Sequence, residues 1–148
     1  MSLSGPTTSH AYTALNAETL KKAYEIMCMA QEMNHLCEEN IHLPPHPFST
    51  GRGHEAVQIA AAMQLRPQDY CLPYHRDVAL LLHLGVRPYD LMLQLLARKD
   101  DPFSGGRMPY PNVILHHEDA PEVPFPASLS GSHVVQATGL AQGLMYLL

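Results

Sequence analysis

The sequence predicts a single helix-rich globular domain with room for two short strands. Three observations lead there. Apolar residues recur at steps of three or four over several stretches, the period of one helical face. Prolines and glycines divide most of those stretches from one another. A chain of 148 residues with 46% hydrophobic residues suits one core and excludes bulk disorder.

Residues 1–15 read as a flexible tail, and residues 16–148 as the domain. The polar stretch from Met1 to His10 has no apolar segment of the kind a signal peptide needs. Asn16 suits a helix N-cap, and Glu18 meets the positive end of the first turn. Leu20, Tyr24, Met27, Ala30, Met33 and Cys37 then form an amphipathic stripe that ends near Asn40. The prolines of residues 42–47 exclude a helix there. His54 to Leu65 is apolar and small nearly all round, which predicts a helix buried on most sides, ended by Pro67. Tyr70-Cys71-Leu72 is a short apolar run before Pro73.

Arg76 to Leu84 is helical again, with Gly85 as its stop. Pro88 suits the first position of a further helix, Tyr89 to Ala97, with Asp90 in its first turn. From Asp100 to Pro126 the period vanishes. Six prolines exclude a regular helix, and a stretch this long is usually functional or disordered. His133 to Leu148 reads as a helix in which Gly139 and Gly143 open one side to close approach. Its apolar pattern is still running at Leu148, so the expectation is a chain cut at that point. No internal repeat and no alternating βαβ pattern is visible.

Charge narrows the function classes. The formal net charge is −5 and only 16% of residues are charged. That is no footprint for a nucleic-acid backbone. Low charge density also predicts surface that is covered by a partner or by more chain. No apolar run is long enough to span a membrane. Cys28, Cys37 and Cys71 form no Cys-x-x-Cys pair, sit among apolar neighbours and read as reduced core cysteines of a cytosolic protein. The ten histidines form no zinc pattern: His116 and His117 are adjacent, prolines separate His42 from His46, and His54 and His83 lack a partner one turn on. No metal site is expected on these residues.

Two turns could carry chemistry. Pro73-Tyr74-His75-Arg76-Asp77 places an aromatic and a cation at the start of a helix. Free N–H groups at a helix N-terminus and the planar fork of an arginine both suit phosphate oxygens. The plain alternative is a surface arginine paired with Asp77. Ala127-Ser128-Leu129-Ser130-Gly131-Ser132-His133 places hydroxyls just before a helix, where they could hold polar edges of a ligand or a monovalent cation. The plain alternative is N-capping.

Taken in order, these segments resemble a known family, the alpha subunits of thiamine-diphosphate-dependent 2-oxo acid dehydrogenase E1 components. Gly53-His54-Glu55-Ala56 resembles the family's Gly-(Gln/His)-Glu-Ala segment. Leu65-Arg66-Pro67-Gln68-Asp69-Tyr70 and Pro73 to Asp77 resemble its LRP-x-D-(W/Y) and P-x-YR-(D/E) stretch. Leu84 to Pro88, with Leu91 and Leu95, resembles the next helix. Asp101-Pro102 and Gly105-Gly106-Arg107-Met108-Pro109 resemble its DP-x-x-GR-x-MP loop. Ala127 to His133, then Ala137 and Gly139, resembles its serine-rich turn and helix. The likeness runs from about residue 50 to the end and is nearest to the branched-chain, 2-oxoisovalerate type.

The resemblance implies an α/β protein: this chain would be the N-terminal, helix-rich portion of a three-layer α/β/α thiamine-diphosphate-binding fold. It implies thiamine diphosphate with Mg²⁺, whose ligands lie in a Gly-Asp-Gly…Asn stretch beyond this sequence. It places Arg76 at the cofactor diphosphate and His75 where the family has a tyrosine contact. Ser128 and Ser130 fall near the aminopyrimidine and a cation site, and Phe48 near a substrate-pocket aromatic. Loop 100–126 would pack over the cofactor channel, and without its partners would be open to proteases. The implied enzyme decarboxylates a branched-chain 2-oxo acid oxidatively and passes the acyl group to a lipoyl-bearing E2 protein. An E1 beta subunit or fused beta domain supplies the activating glutamate in a cytoplasmic heterotetramer. No catalytic residue is assigned within this stretch, so by itself it would be inactive. Pyruvate- or acetoin-type E1 relatives, and a non-catalytic interaction module on the same scaffold, are the alternatives.

Overall fold

The structure, a computed structural model, describes residues 16–46, 49–116, 118–124 and 129–147. The expected tail, Phe48 and Ser128 lie outside the described residues. Five helices follow in order: α1 Ala17–Glu39, α2 Glu55–Ala62, α3 Val78–His83, α4 Pro88–Leu95 and α5 Ser132–Leu147. Among the described residues there is no extended strand. Of two isolated bridges, Tyr70 with Glu122 ties the long loop to the chain ahead of α3, and Leu115 with Val123 closes the loop on itself.

Local chemistry explains the helix ends. The Asn16 side chain accepts from the Thr19 N–H at 2.8 Å and caps α1 as expected. The Gly85 φ of +94° lets the chain turn out of α3, where the Gly85 N–H meets the Leu82 carbonyl. Pro88 opens α4, where a missing N–H costs nothing.

The core is built mainly by α1, α3 and α4. Ala30, Met33 and Cys37 of α1 meet Val78, Ala79, Leu81 and Leu82 of α3, with Leu91 and Leu95 of α4 beyond. The α1 stripe is shorter than its sequence period predicts: Leu20 and Tyr24 are exposed. Helix α2 also departs from expectation. Only Glu55, Gln58, Ile59 and Ala62, one face at steps of three and four, are buried, and Val57 is 66% exposed. Small size on all sides permits burial on all sides, but only one side has a neighbour here.

The stretch after α4 has no helix, as its prolines dictate, yet it is held closely. Asp101 is buried and its carboxylate accepts from the Phe103 and Gly106 N–H groups and from Ser104 Oγ. Ser104 Oγ in turn accepts from the N–H groups of Arg107 and Met108. Gln94, 1% exposed, donates to the Asn112 carbonyl at 2.9 Å and accepts from the Asn112 N–H at 2.8 Å. That side-chain amide completes the backbone bonding of a buried loop as a strand neighbour would. A loop without periodicity is therefore not a loose one.

Helix α5 contrasts with the rest. None of its residues is buried. It borders an open groove whose other wall is Leu65, Tyr70 and Leu72, facing Ala137, Leu140 and Leu144.

Candidate functional site

The structure joins the two turns that the sequence singled out separately. Tyr74 Oη and Ser130 Oγ lie 2.8 Å apart, a hydrogen bond across 56 positions of sequence. The Tyr74 ring also contacts His75, with centroids 3.9 Å apart, and His133, at 5.7 Å. One tyrosine is thus the hinge point between residues 73–77 and residues 129–133. The sequence showed an aromatic at position 74 but nothing that paired it with Ser130.

Arg76 lies beside this cluster, with its guanidinium carbon 5.5 Å from the centre of the Tyr74 ring. Its Nε donates to Ser49 Oγ at 3.0 Å. The simple alternative, a pair with Asp77, does not form. The Asp77 carboxylate instead accepts from the Tyr74 N–H at 2.8 Å and closes the 74–77 turn. Arg52, Arg66 and Arg87 each hold a carboxylate, from Glu38, Asp69 and Asp90 respectively. Among the described residues, no acidic group holds Arg76. A half-buried guanidinium without a carboxylate is a ready donor for an external anion.

The helix end behind it does not share that role, which corrects the expectation. Helix α3 begins at Val78, so Arg76 lies in the turn before it. Two of its leading N–H groups are already taken, since Gln58 Oε1 accepts from Ala79 at 2.9 Å and from Leu80 at 3.4 Å. The amide of Gln58 also donates to the Arg76 carbonyl at 3.0 Å. Anion donation at this turn therefore rests mainly on the arginine side chain.

Gly51 explains how α2 and the Arg76 turn come so close. A Cβ there would overlap the Arg76 carbonyl. Only glycine allows the chain ahead of α2 to lie against that peptide. Just beyond, the Glu55 carboxylate is buried at the start of α2 and accepts from the Gly53 N–H at 2.9 Å.

Of the residues expected in the site, the structure brings His75, Arg76 and Ser130 together. His75 Nε2 lies 3.0 Å from the same Ser49 Oγ that receives Arg76. The sequence reading did not place Ser49 or Gln58 in the site, and did not show that Tyr74 and His133 meet. A polar residue on an otherwise apolar helix, as at Gln58, was a usable signal. Ser49 carried none. Nδ1 of His133 is buried next to Tyr74, with no hydrogen-bond partner among the described residues. Cys71, just ahead of this turn, is pushed up to about 11 by burial and then by the Asp77 charge, so its thiol stays protonated. All three cysteines are free. Among the described residues, no three His, Cys, Asp or Glu side chains converge to hold a metal ion, and no helix is long and apolar enough to cross a membrane.

Comparison with known proteins agrees with the order of these segments. The sequence profile of the family described as Dehydrogenase E1 component matches residues 46–141. The 2-oxoisovalerate dehydrogenase subunit alpha of Bacillus subtilis (strain 168) is 47% identical over 57 residues, 38% of this chain and 17% of its own length. The mitochondrial 2-oxoisovalerate dehydrogenase subunit alpha 2 of Arabidopsis thaliana is 30% identical over 103 residues, 69% of this chain and 22% of its own length. The chain thus spans about a fifth of the length of these curated relatives. With the profile covering most of its residues, the chain belongs to the Dehydrogenase E1 component family.

Proposed function

We propose that this chain supplies one wall of the thiamine diphosphate site of a branched-chain 2-oxo acid dehydrogenase, with Arg76 as the group that meets the cofactor's diphosphate. The observation that carries this reading is the Arg76 guanidinium, which has no carboxylate partner among the described residues and is aligned by Ser49 next to the Tyr74–Ser130 junction. The residues suit such a ligand. A diphosphate needs donors that are not already neutralised, and Arg76 meets that need. The rings of Tyr74, His75 and His133, with the Ser130 hydroxyl, offer the mixed apolar and polar surface an aminopyrimidine would contact. Ser128 and Phe48 complete the proposed set as cofactor and substrate contacts.

Bound there, thiamine diphosphate would supply the carbon nucleophile for decarboxylation of the 2-oxo acid. This chain's own part is binding and alignment. Arg76 holds negative charge, and Tyr74 keeps the two turns in register. The Mg²⁺ that neutralises a diphosphate needs oxygen ligands, and we assign those to residues outside this sequence. In the full assembly we place this stretch in a three-layer α/β/α fold in the cytoplasm, paired with a beta subunit or fused beta domain and serving a lipoyl-bearing E2.

The test is thiamine-dependent CO₂ release from branched-chain 2-oxo acids by the assembled enzyme. Release that requires both the cofactor and Mg²⁺ is expected. Absence of release from any 2-oxo acid, in an assembly that forms, would overturn the proposal.

A further inference from the structure

We propose that Ser49 is a positioning residue that locks the Arg76 guanidinium so that only its outer Nη edge can meet an anion. The proposal rests on the reading of Arg76 as a diphosphate contact. The argument begins with the donor geometry of arginine. A guanidinium has five N–H donors and can meet an oxyanion side-on, using Nε and one Nη, or end-on, using both Nη groups. Ser49 Oγ sits 3.0 Å from Nε and takes that donor. Among the described residues, no hydrogen bond or ion pair occupies the Nη groups, so the end-on edge is what remains.

The serine is itself oriented. Arginine can only donate, so Ser49 Oγ must accept from Nε. Ser49 Oγ also lies 3.0 Å from His75 Nε2, a second hydrogen bond whose direction follows the histidine tautomer. Contacts from Arg76 and His75 thus hold the Ser49 side chain from two sides. The main chain of Arg76 is gripped separately. Gln58 Nε2 donates to its carbonyl at 3.0 Å, and Gly51 allows the close approach on which that peptide depends. The Tyr74 ring borders the guanidinium, 5.5 Å from centroid to Cζ. Backbone and side chain of Arg76 are therefore held from different elements, and Ser49 is the one hydrogen-bonding contact on the side chain among the described residues. Such a preset fork saves the ordering that a free arginine would undergo on binding.

The experiment is a double-mutant cycle in the assembled E1 enzyme, with thiamine diphosphate titrated in the presence of Mg²⁺. Ser49→Ala is expected to raise the cofactor Kd roughly three- to tenfold, the span of one hydrogen bond. Ser49→Thr, which keeps the hydroxyl, should return the Kd to within about twofold, and the thermal midpoint of both variants should match the parent. In the Arg76→Ala background, Ser49→Ala should add nothing, because the group that it positions is gone. An equal Ser49→Ala effect with and without Arg76 would overturn the proposal, as would a neutral Ser49→Ala beside a costly Arg76→Ala. If Arg76→Ala itself leaves the Kd unchanged, the reading of Arg76 as a diphosphate contact fails, and that outcome is separate from the other two.

Discussion

Helices α1 and α5 reverse the usual relation between composition and burial. Helix α1 carries seven charged residues between Glu18 and Glu39, yet it buries Ala30, Met33, Asn34 and Cys37 in the core. Helix α5 has no charged residue at all and buries nothing. Val135 is 75% exposed and Leu147 83%. A helix is buried by what lies opposite it, not by its own apolarity.

Mutations can break this contrast, and the largest effect is expected in the core. Leu91 is 0% exposed, and Leu91→Ala should destabilise the chain by about 2–5 kcal/mol in denaturant unfolding. Val135→Ala in α5 should change it by less than about 0.5 kcal/mol. Equal losses would mean that α5 is packed in solution.

Next in size is Arg76, the arginine proposed to meet the cofactor. In the assembled enzyme, Arg76→Ala should weaken thiamine diphosphate binding by about 1.5–3 kcal/mol, and Arg76→Lys should recover only part of that. Calorimetric titration reads both, and unchanged affinity in both would remove Arg76 from the site.

The buried Gln94 amide sharpens the comparison from the loop side. Gln94→Leu preserves the apolar packing but leaves the Asn112 N–H and carbonyl without their side-chain partner. A loss of about 1–3 kcal/mol is expected, together with faster proteolysis between residues 100 and 116. Unaltered cleavage would show that the loop is held by other contacts.

The glycines of α5 should give a smaller effect, and one of opposite sign. A Cβ at Gly139 or Gly143 meets nothing within 4 Å. Each change to alanine should therefore stabilise the isolated chain by about 0.5–1 kcal/mol, through helix propensity. If a partner backbone packs on that face, the same changes should weaken assembly. Light scattering with the beta partner reads this, and undiminished assembly would free the face from that role.

The smallest expected effect is a pH dependence. Burial, and then the charge of Lys22, hold the His83 imidazole below its ordinary value of 6.5. The unfolded chain then binds a proton more readily than the folded one. Stability from this group is complete above pH 6.5 and is lost as pH falls through the depressed folded value. His83→Gln should flatten that part of the stability profile, and an unchanged acid limb would assign it to other groups.

Much of the helical framework was legible in the sequence. Asn16 capping α1, Gly85 ending α3 and Pro88 opening α4 follow from dihedral limits and local hydrogen bonds, which act over a few residues. The candidate site was legible only in part. His75, Arg76 and Ser130 were in view because their motifs are contiguous. Ser49, and the junction that Tyr74 makes, were not, because they depend on partners 27 and 56 positions away. The occupation of two N–H groups at the start of α3 was out of view for the same reason: Gln58, which takes them, comes from another helix.

Sequence by itself determined where the helices lie, where the prolines forbid them, and the order of motifs that marks the family. Those are properties of short stretches, set by backbone sterics and by the helical repeat. Tertiary structure decided which face of α2 is buried, why α5 stays bare, and that Arg76 goes without a carboxylate among the described residues. Each depends on what lies opposite a side chain. Asp77 turned its carboxylate to the Tyr74 N–H, and Arg76, its neighbour in the chain, was left to Ser49.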